Sequence, residues 1–274
     1  MPTFDRTTPV TVALRAQRGT IDITATDDTV VGVEVVPLDG SEGADEAARN
    51  TRVALEGDTL YVQTPHTSAW QWRRTPKLGI TVRVPAGSSI VAKAASADLR
   101  ATGRYALVQV DLASGDAWVD RVTGDAQLKS ASGDITVGRV GGGLRITSSS
   151  GNLDVGDVTG DVSAEAASGD ITVRGVGGSI RAGTASGDVQ VGVVRRGEAK
   201  LSSSSGDVEV GVAAGTGVWL DVSTASGTTR NDLAMGADGA PPAGEGAATL
   251  QLHVRTASGD VRIRRVTGDV PATA

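Results

Sequence analysis

Ala131-Ser132-Gly133-Asp134-Ile135-Thr136-Val137 recurs letter for letter as Ala167-Ser168-Gly169-Asp170-Ile171-Thr172-Val173. Between the copies, Ser149-Ser150-Gly151-Asn152-Leu153-Asp154-Val155 keeps the pattern with altered letters. Working outward, the glycine position of the phrase holds Ala97, Gly115, Gly133, Gly151, Gly169, Gly187, Gly206, Gly227 and Gly259, at steps of 18, 18, 18, 18, 18, 19, 21 and 32 residues. A second turn follows halfway, with Gly124, Gly142, Gly160, Gly178 and Gly268 nine residues beyond their partners. A fixed period of this length marks an internal repeat whose units share one core.

Each half-unit is a turn followed by a short strand. Ile135/Val137, Leu153/Val155, Ile171/Val173, Val189/Val191, Val208/Val210 and Val261/Ile263 alternate with polar residues. The second half-unit alternates too, through Leu144/Ile146, Val162/Ala164, Ile180/Ala182 and Ala199/Leu201. Period-two alternation means one buried and one solvated face. Regular glycines and β-branched residues disfavour helices. The expected fold is therefore all-β: a β-solenoid of about 18 residues per coil, in two half-units of about nine. Its rival is a meander of antiparallel hairpins. Aromatics are only 3% of the chain, which suits a thin interior of Val, Ile, Leu and Ala.

The turns have a structural explanation. Gly115, Gly133, Gly151, Gly169, Gly187, Gly206 and Gly259 give the corner its freedom in φ. Asp116, Asp134, Asp170, Asp188, Asp207 and Asp260 are read as turn-capping side chains. Stacked carboxylates about 5 Å apart could instead draw a cation. Calcium-binding rolls place Asp two residues after Gly, whereas here Asp follows Gly directly. No metal and no cofactor are expected.

Residues 1–94 lack the clean period and are read as a β-rich cap continuous with the solenoid. Its strands are expected at Val10–Leu14, Thr20–Thr24, Val30–Val36, Arg52–Leu55, Leu60–Gln63 and Ile80–Val84. Arg18-Gly19-Thr20-Ile21-Asp22-Ile23 reads as a degenerate half-unit. The acidic stretch Asp39 to Asn50 is expected to be an exposed loop, although Glu46-Ala47-Ala48-Arg49 could form one helical turn. Residues 95–274 form the regular solenoid, with a Pro- and Gly-rich loop, near 234–248, ejected from one coil. The last half-unit, Val270-Pro271-Ala272, is read as a blunted end, because Pro removes a ladder donor.

Composition narrows function. The 274 residues carry 32 acidic and 26 basic side chains, a net charge of −6, which argues against nucleic-acid binding. There is no Cys, and His66 and His253 are the two histidines, so thiolate chemistry is excluded and a multi-histidine metal site is disfavoured. No signal-like start and no long apolar run occur, so a cytoplasmic protein without membrane insertion is expected.

The run Ile80-Thr81-Val82-Arg83-Val84-Pro85-Ala86-Gly87-Ser88, followed by serial Ser-Gly-Asp units, resembles the bacterial β-strand-repeat family named for candidate adhesins, a domain of unknown function. Thr229-Arg230-Asn231-Asp232-Leu233, the Pro-rich loop and Val261-Arg262-Ile263-Arg264-Arg265 are similar to actinobacterial, intracellular-type members. The resemblance implies a β-helix-like repeat protein and carries no catalytic residues.

Two surface features are candidate binding sites. Trp70, Trp72, Arg73 and Arg74 form an aromatic-basic loop of the kind that anchors a protein or glycan partner. Arg145, Arg181 and Lys200 make a partial basic stripe on the second strands, with Gln127, Ser163 and Trp219 interspersed. No phosphate loop, zinc-protease helix or nucleophile elbow is present. The expected function is a non-enzymatic scaffold or adhesin-like interaction protein. The alternatives are a binding module using the Trp70–Arg74 loop and an end-to-end self-associating rod.

Overall fold

The computed structural model of the chain describes residues 2–28, 30–65, 76–233 and 249–266. They form two compact units: Met1–Gly142 with Ile146–Ser150, and Gly143–Arg145 with Gly151–Ala274.

In the first unit the repeat builds parallel ladders. Strand β7 (Ser89–Tyr105) pairs with β8 (Leu107–Ser114) as Ile90↔Val108 and Ala92↔Val110. Strand β8 pairs with β10 (Ala126–Ser132) as Val108↔Ala126 and Val110↔Leu128. On the other wall β9 (Ala117–Val122) pairs with β11 (Ile135–Val140) as Ala117↔Ile135 and Val119↔Val137. Each residue meets the one 18 positions on, so one repeat is one coil. Antiparallel hairpins would reverse the register, and the meander is excluded. The paired residues are core: Val108, Val119 and Ile135 are almost fully buried, each stabilising the fold by roughly 1.5–3 kcal/mol.

Regular coil geometry reaches into residues 1–94. Strand β2 (Thr11–Thr26) pairs along its length with β7, Val12 to Ile90 and Ile21 to Leu99. Its other edge holds β5 (Thr59–Gln63) and β6 (Leu78–Pro85), as Val12↔Leu60 and Ile21↔Ile80. The first coil in sequence is thus an interior coil. Beyond it the direction of pairing changes: β4 (Arg52–Glu56) lies antiparallel on β5, and β3 (Val30–Pro37) lies antiparallel on β6. Strand β1 (Thr3–Asp5) continues antiparallel on β3.

The stretch expected as a loop between Asp39 and Asn50 contains a helix, α1 (Glu42–Arg49). Ser41 starts it by accepting the Ala44 amide at 3.2 Å. Ala44 and Ala47 are buried, so the helix is held by its apolar face as well as its cap. Asp39 fixes the approach by accepting the Lys77 amide at 2.9 Å and the Ser41 hydroxyl. Those bonds, the Lys77 amide first, hold its carboxyl below the usual range.

In the second unit β13 (Leu153–Val158), β15 (Ile171–Val176), β17 (Val189–Val194) and β19 (Val208–Ala213) form one wall, through Leu153↔Ile171, Ile171↔Val189 and Val189↔Val208. Strands β14 (Val162–Ser168), β16 (Ile180–Ser186) and β18 (Gly197–Ser205) form the other. The chain then departs from sequential stacking. The partner of β18 is β22 (Thr249–Ser258), and the partner of β19 is β23 (Val261–Val266). Strands β20 (Gly217–Ser226) and β21 (Thr229–Asp232) pair with the far edges of β22 and β23. The coil of β22 and β23 is therefore inserted between the β18–β19 coil and the β20–β21 coil that precedes it in the chain. The expected blunted end at Val270–Ala272 and the segment 234–248 lie outside the described residues.

The β20–β21 coil is built to end a stack. Thr229 and Asn231 stand in the columns that Val261 and Ile263 fill in the coil below, and all four residues of β21 are exposed. Polar residues at core positions are what a terminal repeat requires.

Candidate interaction site

The turn column is a hydrogen-bond relay between coils. The Asp188 carboxylate accepts the Asp207 amide at 2.8 Å, and Asp207 accepts the Asp260 amide at 2.7 Å. Asp98, Asp116 and Asp170 do the same for Asp116, Asp134 and Asp188 at 2.8–3.0 Å. Asn152 serves Asp170 with its amide oxygen at 3.0 Å. The carboxylates thus hold the amides that the corner removes from the main-chain ladder. At Thr228 the relay stops: its amide donates to Asp260 at 2.8 Å, and a threonine has no carboxylate to offer a further coil.

A second set of corner residues escaped the sequence reading. Ser203 donates to the Gly187 carbonyl at 2.9 Å, and Thr184 and Thr256 donate to Gly169 and Gly206 at 3.2 Å. These hydroxyls are buried and satisfy carbonyls that the turn orphans. The signal was present, because Ser130, Ser148, Thr184, Ser203, Thr224 and Thr256 each precede a corner glycine by three residues.

Trp70, Trp72, Arg73 and Arg74 lie outside the described residues. The stripe read from sequence is brought together differently than expected. Across the second strands of unit two, Ser163, Arg181, Lys200, His253 and Asp221 stand in one row. The preceding outward row is Glu198, Gln251 and Trp219. The inserted β22 places His253 between Lys200 and Asp221, turning a basic stripe into a mixed-charge cluster with an aromatic. The order of the coils hid this from sequence reading, since residue 253 follows Asp221 in the chain and precedes it in the stack.

The cluster is tightly connected. The His253 Nδ1 is 3.3 Å from Asp221 Oδ2, and Nε2 is 3.6 Å from Glu198 Oε1. Lys200 Nζ lies 2.6 Å from the same Glu198 oxygen. The Lys200 ammonium, with His253 and Arg181 adding smaller contributions, lowers the Glu198 carboxyl below its usual range. Trp219 packs on His253 with ring centroids 5.1 Å apart and planes tilted by 58°. It is nevertheless 55% exposed, the most open large apolar residue among those described. Strand alternation causes this: Val218, Leu220 and Val222 point inward, so Trp219 and Asp221 must point out. Both His253 nitrogens thus face carboxylates, Nδ1 toward Asp221 and Nε2 toward Glu198.

Fold and surface together define a β-solenoid repeat protein with an exposed aromatic-charge cluster near a terminal coil. Residues 11–264 match the Toastrack DUF4097 family, and the chain belongs to it. The match begins with β2 and ends within β23, so it spans the coils of both units.

Among solved structures the chain is similar to a candidate adhesin from Bacteroides fragilis NCTC 9343, at 12% identity over 97% of this chain and 95% of that one, with a TM-score of 0.41. It is also similar to a candidate adhesin from Parabacteroides merdae, at 12% identity, 97% and 95% coverage and a TM-score of 0.28. No curated protein matches the chain.

Proposed function

We propose that this protein is a non-enzymatic scaffold that presents a fixed interaction site to a partner, and that the site is the Trp219 cluster. The observation that carries the reading is the placement of Trp219, more than half exposed yet locked on His253 by the Asp221, Glu198 and Lys200 network. A rigid aromatic anchor loses little freedom on binding, which is why such residues dominate recognition energetics. The relay supports the scaffold half of the reading, since its carboxylates are committed to holding coils in register. Thr228, which has no carboxylate to offer, and the polar β21 favour a discrete particle over one that adds copies to that coil.

The test is a paired screen of the intact protein and its Trp219→Ala variant on saccharide and peptide arrays, with circular dichroism to confirm equal folding. The expected result is a set of hits that the variant loses. Hits that the variant keeps, or turnover of an arrayed saccharide, would overturn the reading.

A further inference from the structure

The chemistry around Trp219 narrows what the site accepts. A protein hot spot is ordinarily a pocket whose apolar neighbours keep water out. Trp219 has the opposite surroundings: Gln251 is its register partner, and His253, Asp221, Glu198 and Lys200 lie in the same two rows. These are directional donors and acceptors around one large apolar surface. The polar groups also answer one another, with the Lys200 ammonium on Glu198 and the His253 ring between Glu198 and Asp221. A strongly anionic ligand would face the two carboxylates, and a strongly cationic one would compete with Lys200 for Glu198. An uncharged ligand with an apolar face and a rim of hydroxyls leaves every existing pair intact. Among the described residues, β20 is bonded along one edge to β22 and no strand covers the other.

Resting on the reading of this cluster as the interaction site, we propose that it binds a neutral saccharide, one pyranose ring stacking on Trp219 while Asp221 and Gln251 take its hydroxyls. A hexose presents C–H bonds on one face and hydroxyls at its rim, which is the complement of this surface.

The experiment is a heteronuclear NMR titration of the full chain, following the indole N–H signals of its 4 tryptophans. Trp219→Phe identifies the Trp219 signal. The probes are cellohexaose, maltohexaose and mannohexaose, with polygalacturonate as the anionic comparison. A saturable shift of the Trp219 signal with at least one neutral hexasaccharide is expected. Trp219→Ala should weaken that binding roughly tenfold or more, the loss of one stacking contact, and Asp221→Ala should weaken it with the Trp219 signal still in place. No response to any neutral probe, or a stronger response to polygalacturonate, would overturn the proposal. Trp219-dependent peptide hits on the arrays, with no saccharide response here, would sink the saccharide and leave the interaction site standing.

Discussion

The Asp188 carboxylate accepts the Asp207 amide at 2.8 Å from the neighbouring coil, while the Val189 amide donates to the Asp207 carbonyl at 2.9 Å. Side chain and main chain thus stitch the same two coils at one corner. Removing the carboxylate strands an amide that the turn keeps out of the ladder. Asp188→Ala is expected to lower stability by about 1 kcal/mol, the net worth of a partly solvated hydrogen bond. Asp188→Asn should cost much less, because Asn152 fills the same role toward Asp170 at 3.0 Å. Urea midpoints of the three proteins check this, and equal losses for Ala and Asn would remove the relay from the account.

The corner glycines differ in what restrains them. Gly187 has φ +140° and a Cβ placed there would lie 2.2 Å from the Gly169 carbonyl oxygen. Gly215 has φ +76° with nothing within 4 Å of its Cβ. Gly187→Ala therefore combines backbone strain with a main-chain clash and is expected to cost about 2 kcal/mol or more. Gly215→Ala carries the strain alone, about 1 kcal/mol. Thermal melts of the two variants should separate clearly in that order.

Period, strands and corners were legible because they are local patterns: Ile135/Val137 and Ile171/Val173 state the alternation, and Gly133 and Gly169 state the turn. Coil order was not, because it depends on pairings across 78 residues at Val12↔Ile90 and 53 at Val208↔Val261. No local signal distinguishes those partners from ones 18 residues away. The cluster of Trp219, His253 and Glu198 inherits that blindness, since only the inserted β22 brings it together. The helix Glu42–Arg49 was legible only as a single turn over residues 46–49, for another reason. Its Gly43 and acidic residues read as loop, and the burial of Ala44 and Ala47 outweighs that weak propensity.

Thr64 is 7% exposed, and among the described residues its hydroxyl has no hydrogen-bond partner. A buried hydroxyl left unpaired costs desolvation with nothing returned. Valine has nearly the same shape without that burden. Thr64→Val is expected to raise stability by about 1 kcal/mol, seen as a higher urea midpoint at unchanged slope. A clear loss of stability would mean that the hydroxyl is engaged after all.

Asp260 sits at the last link of the relay, where its carboxylate accepts the Thr228 amide at 2.8 Å. Hydrogen bonding from Thr228, its amide first, lowers the Asp260 carboxyl below the ordinary 3.8. A carboxyl more acidic in the folded state than in the unfolded chain binds fewer protons when folded, so stability rises with pH across the interval between the two values. The contribution is fully present above the unfolded value and fades as pH falls through the folded one. Asp260→Asn keeps an oxygen for Thr228 and removes the proton linkage. The two proteins should therefore converge in urea midpoint as pH drops from about 5, through the ordinary carboxylate value of about 4, to about 2. A gap that stays constant over that range would show that the Asp260 charge has no part in tying the terminal coil to its neighbour.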